Sequence, residues 1–100
     1  HLLKLINDKY PCLRLIGLHA YWLYFGEEAK DVLLRLICDE NSCARVEAAR
    51  YLLELAKKGV LSREEIEFIE RKLYEILSGN VDEIIEDDAE DMLEELEGFL

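Results

Sequence analysis

The feature that most constrains the fold of this 100-residue chain is an internal repeat at an offset of 31 residues. Seven residues of segment 2–14 recur unchanged in segment 33–45. They are Leu2, Leu3, Leu5, Ile6, Asp8, Cys12 and Arg14, which recur as Leu33, Leu34, Leu36, Ile37, Asp39, Cys43 and Arg45. A period between about 20 and 50 residues is typical of proteins in which copies of one small unit stack. One such unit cannot bury its apolar face alone, so we expect neighbouring copies to pack together.

The second copy of the repeat predicts a helical hairpin. Its first helix ends near Cys38, a polar turn follows, and a second helix covers residues 42–58. Gly59 suits the left-handed position that often ends a helix. The whole composition favours helix, because Leu, Glu, Ala, Lys and Arg dominate and Thr is absent. Gln is also absent, and abundant Glu with few amides is typical of thermophilic proteins.

Four more helical segments are predicted outside this hairpin, and the first, residues 2–6, has the pattern of the last turns of a helix. Pro11 suits the first position of a helix over residues 11–25. Ser62 and Glu65 have capping-box spacing at the start of a helix over residues 63–77. The chain is therefore predicted to be all-α, a short α-α superhelix of about three antiparallel helical hairpins. We expect one domain, 1–100, with units at about 2–26, 27–59 and 62–97, the last helix running from about 82 to 97.

The net charge of −11 is unevenly distributed along the chain. Residues 1–63 carry ten basic and eight acidic residues, whereas residues 64–100 carry two basic and fifteen acidic ones. An acidic surface repels the phosphate backbone, so a nucleic-acid-binding helical-repeat protein is a disfavoured alternative. No apolar run reaches the length of a membrane span. Three cysteines cannot all pair within one chain, which favours the reducing cytoplasm; His1 is assigned no role.

The last predicted helix combines an apolar stripe with a strongly acidic outer face. The residues expected to be buried are Ile84, Ile85, Ala89, Met92, Leu93 and Leu96. The outer face carries ten carboxylates and no base. A candidate docking face for a basic partner is formed by Glu83, Asp87, Asp91 and Glu95. The alternatives are a solvated face, or an enzyme or enzyme subunit that binds a divalent metal through these carboxylates.

The helix predicted over residues 11–25 is apolar almost all the way round. Only Arg14 and His19 interrupt the apolar pattern, and a helix without a polar face should be buried on most sides. We expect it to be either the most buried helix of the monomer or part of a homodimer interface. The candidate partner or dimer surface is its aromatic cluster, Tyr21, Trp22, Tyr24 and Phe25, because large aromatic side chains anchor interfaces.

The cysteines and the internal histidine are interpreted as structural residues. Buried free thiols are the default for Cys12, Cys38 and Cys43. A Cys38–Cys43 disulfide and a metal site with His19 are the alternatives, although no Cys-x-x-Cys pair is present. A Cys12–Cys43 disulfide is not expected, because packed helices lie about 8–10 Å apart. His19 is expected to be a satisfied core or interface histidine.

The two copies resemble HEAT-like repeats of the armadillo type. The resemblance lies in an Asp after the first helix and an Arg six residues later, which are Asp8 with Arg14 and Asp39 with Arg45. A small pair followed by Leu also matches in the second copy but departs from the pattern in the first. The matching residues are Ala48, Ala49 and Leu52, with Gly17, Leu18 and Tyr21 in the first copy. The resemblance implies a structural ladder in which each Arg bridges to an Asp.

Together these observations predict a non-enzymatic module that binds another protein or serves as a scaffold. No catalytic, cofactor-binding or metal-binding residue is assigned, and neither nucleic acid nor a membrane is expected as a partner. The sequence leaves the identity of the protein partner open, and a second copy of the chain is one candidate.

Overall fold

Six α-helices and one 3₁₀ segment form the secondary structure of residues 2–100, which a computed structural model describes; His1 lies outside the described residues. No strand occurs within that range, so the all-α prediction is confirmed. The helices are α1 (Leu2–Ile6), α2 (Pro11–Phe25), α3 (Lys30–Leu36), α4 (Ser42–Lys57), α5 (Arg63–Ser78) and α6 (Glu83–Glu97), with the 3₁₀ segment Gly26–Ala29 directly before α3.

The helices pack as three pairs, α1 on α2, α3 on α4 and α5 on α6. Because a short turn joins the members of each pair, the two helices run antiparallel. Helix α4 also contacts α2 on one side and both α5 and α6 on the other. The second helices of the three pairs therefore lie side by side with α4 in the middle, in a slab of 36 × 31 × 18 Å.

Local sequence signals account for most helix ends. Pro11 occupies the first turn of α2. The Asn41 side chain accepts a hydrogen bond from the N–H of Ala44 at the start of α4. The capping box predicted for α5 is confirmed, because the Ser62 hydroxyl accepts from the N–H of Glu65 and the Glu65 carboxylate accepts from the N–H of Ser62. Each bond satisfies a backbone donor that the first helical turn leaves unpaired.

The most buried helix is α4, not α2. Eight residues of α4 are buried, whereas α2 buries Arg14, Gly17 and Leu18. The first alternative predicted for residues 11–25 is therefore wrong. The physical reason is position, since α4 has helices on both sides and α2 has no neighbouring pair beyond α1 in the described chain.

Two predictions of burial on the outer faces are also wrong. Ile84 is 74% exposed, because the buried stripe of α6 passes through Ala89 and Met92, with Ile85 partly buried, and one residue turns a helix by about 100°. All three cysteines are free and exposed. Cys12 and Cys43 lie on the outer sides of α2 and α4, where no helix of the described chain covers them.

Across residues 2–100, no helix has both the length and the apolar character that crossing a bilayer requires.

Candidate protein-interaction surfaces

Arg14 and Asp39 form a buried junction between the first two helix pairs. The Arg14 side chain is almost completely covered, with 9% of its surface exposed. Its Nε lies 2.8 Å from Oδ2 of Asp39 and its Nη2 lies 2.9 Å from Oδ1, which is a two-pronged charge-assisted interaction. Its Nη1 donates to the carbonyls of Asp8 at 2.9 Å and Lys9 at 3.2 Å. One side chain therefore connects both inter-helix turns.

The aspartates of the two repeat copies make the same local bond. Oδ1 of Asp8 accepts from the N–H of Tyr10 at 2.9 Å, and Oδ1 of Asp39 accepts from the N–H of Asn41 at 2.8 Å. In each case the side chain bonds the backbone two residues on, the geometry by which Asp stabilises a turn. The Asp39 carboxylate also accepts hydrogen bonds from Arg14, whereas the Asp8 carboxylate has no arginine partner within residues 2–100.

The predicted ladder therefore has one rung in the described chain. Arg45, the counterpart of Arg14, donates from Nη2 to the Ser42 hydroxyl at 3.1 Å. Its Nε is buried and finds no acceptor among residues 2–100. The position of Asp39, three residues before the first residue of the next helix, is held in the third pair by Asn80, which supplies no carboxylate.

The first pair presents an apolar groove to solvent, which we call the α1–α2 end. Its walls are Leu2, Leu3, Lys4, Tyr21, Tyr24 and Phe25, and they enclose a volume of about 550 Å³. Tyr24 is 81% exposed and Phe25 is 42% exposed, and Leu23 next to them is 83% exposed. The Tyr21 and Phe25 rings lie 4.4 Å apart between centroids, so the aromatic wall is continuous. Three of the four predicted surface aromatics meet here.

The fourth predicted surface aromatic, Trp22, belongs to a different contact. Its ring stacks on Tyr51 of α4 with centroids 4.8 Å apart. The hydroxyl of Tyr51 is hydrogen bonded to Nδ1 of His19, and partial burial raises the pKa of that hydroxyl. Trp22 thus holds α2 against α4 and is not part of the open groove. His19 is satisfied by a partner, as the sequence predicts.

The repeat offset relates the α1–α2 end to a buried region of the second copy. Residues of the second copy that correspond to Tyr21, Tyr24 and Phe25 are buried. They are Leu52, Leu55 and Ala56, all at most 4% exposed. Three further wall residues, Leu2, Leu3 and Lys4, were not predicted as part of this surface, although the same offset relates them to Leu33, Leu34 and Arg35. At Tyr24 and Phe25, the equivalent apolar positions are therefore buried in the second copy and exposed in the first.

The predicted acidic docking face is partly used inside the molecule. Glu83, Asp87 and Asp91 are exposed on α6, but Glu95 lies 3.4 Å from Nζ of Lys57 on α4. A second α6 carboxylate, Asp88, lies 3.1 Å from Nη2 of Arg50. Partial burial tends to lower the pKa of Arg50, but the carboxylates of Glu47 and Asp88 outweigh it and raise that pKa. These ion pairs connect α6 to α4.

A further acidic cluster, missed in the sequence, lies between α5 and α6. The Tyr74 hydroxyl donates to Oε2 of Glu97 at 2.9 Å. A side-chain hydrogen bond with the same Glu97 raises the pKa of Glu70, and the Glu97 carboxylate also raises the pKa of Tyr74. Glu70 and Glu97 are 27 positions apart in the sequence, so no local sequence pattern indicates that their carboxylates are neighbours.

Residues 2–100 contain no group of three or more His, Cys, Asp or Glu side chains placed to hold a metal ion. No protein-family model, curated protein or solved structure matches the chain. The surfaces of the described residues are therefore the features that bear on function.

Proposed function

We propose that the chain is a non-enzymatic protein-interaction module of HEAT-like repeats, and that its α1–α2 end binds another protein. The observation that carries the proposal is the exposure of Leu23, Tyr24 and Phe25 beside the apolar groove. Large contiguous apolar patches on the surface of soluble proteins mark interaction sites, whereas single scattered apolar residues do not. Tyrosine and other aromatic side chains are also the residues that most often dominate binding energy.

The internal repeat supports the same proposal. At the second copy, four of the six positions equivalent to the groove walls are buried. A surface of this shape is therefore suited to receive helices, and helix-on-helix packing is how stacked repeats bury their apolar faces. The proposal places the module in the reducing cytoplasm, because three exposed thiols would be prone to oxidation elsewhere.

Site-specific photo-crosslinking tests the proposal. A photoreactive phenylalanine analogue replaces Tyr24 in the full chain, which is then irradiated in the cells from which the sequence comes. The matched control carries the analogue at Tyr74, an exposed tyrosine of α5 that lies outside the groove. We expect a crosslinked protein from position 24 and none from position 74. Equal yields from both positions, or no product from position 24, would contradict the proposal.

A further inference from the structure

No further inference is drawn: the strongest candidate, the acidic outer face of α6 that Glu83, Asp87 and Asp91 form beside the exposed Ile84, is a cluster of carboxylates, and nothing in the structure shows what binds to it.

Discussion

The guanidinium of Arg14 and the carboxylate of Asp39 meet in two hydrogen bonds of 2.8 and 2.9 Å across 25 residues of chain. Both side chains are about nine-tenths covered. Arg14 also satisfies two backbone carbonyls of the first turn, so its donors are used on both sides of the junction. Removing one member of a buried, fully bonded pair leaves the other charge without compensation. This ion pair should therefore contribute strongly to the stability of packing between the first and second helix pairs.

We predict that Arg14→Met destabilises the protein by about 3–5 kcal/mol, the range for breaking a buried ion pair from one side. The matched control is Arg45→Met at the equivalent repeat position, where Nε lacks an acceptor in the described chain. We expect that variant to change stability by less than about 1 kcal/mol, since it removes a buried unpaired donor. Urea unfolding followed by circular dichroism measures both. Equal losses would show that the Asp39 contact is not what distinguishes the two arginines.

Gly17 is predicted to be essential for the packing of α1 on α2. A Cβ atom at this position would lie 2.7 Å from Cβ of Leu5 and 2.8 Å from the backbone nitrogen of Ile6. Neither atom can move without shifting α1, so Gly17→Ala should cost about 1–3 kcal/mol, as overpacking does. Gly79→Ala is the control, because its added Cβ meets nothing closer than 3.5 Å. Thermal unfolding should show a lower midpoint for Gly17→Ala only; similar midpoints would mean that α1 adjusts freely.

The acidic face of α6 is predicted to cost stability in the isolated protein. Asp87 has Glu83 four residues before it and Asp91 four residues after it, and like charges at this spacing repel by about 0.2–0.5 kcal/mol per pair. Asp87→Lys turns both repulsions into attractions, so we expect a gain of about 1 kcal/mol at low ionic strength. The gain should shrink in concentrated salt, which screens exposed charges. Urea unfolding at the two salt concentrations checks this, and a gain that is independent of salt would contradict the electrostatic cause.

Local signals in the sequence predict helices well, but they do not predict how many neighbours a helix has. The helix starts at Pro11 and Ser62 were predictable because each depends on residues within one turn. The exposure of Leu23 was not, because it depends on which pair lies next in space, and that of Ile84 depends on the exact rotation of α6 about its axis. The same limit applies to the ladder. Its motif occurs twice, but the position equivalent to Asp39 in the third pair is Asn80, and Nε of Arg45 finds no acceptor in the described chain.

The opposite pKa shifts of Glu65 and Glu70 predict opposite effects of pH on stability. The backbone N–H of Ser62, followed by Lys30, holds the pKa of Glu65 below its ordinary value. The folded protein therefore binds fewer protons at this site than the unfolded chain, and the stabilisation is present above the ordinary glutamate pKa and lost as pH falls below it. We expect Glu65→Gln to be less stable than the unmodified chain at neutral pH, with a difference that shrinks on acidification. Ser62→Ala, which removes the other half of the capping box, should cost about 1 kcal/mol.

Glu70 should behave in the reverse way. Its hydrogen bond with Glu97 raises its pKa, so the folded protein binds the proton more tightly than the unfolded chain. Its stabilising contribution is present at low pH and is lost as pH rises through the raised pKa. Glu70→Gln should therefore be at least as stable as the unmodified chain at neutral pH, and this advantage should disappear in acid. Urea unfolding of Glu65→Gln and Glu70→Gln at a series of pH values gives both curves. Because the two substitutions remove the same charge, the change in net charge is common to both curves, and curves that run parallel would contradict the two local causes.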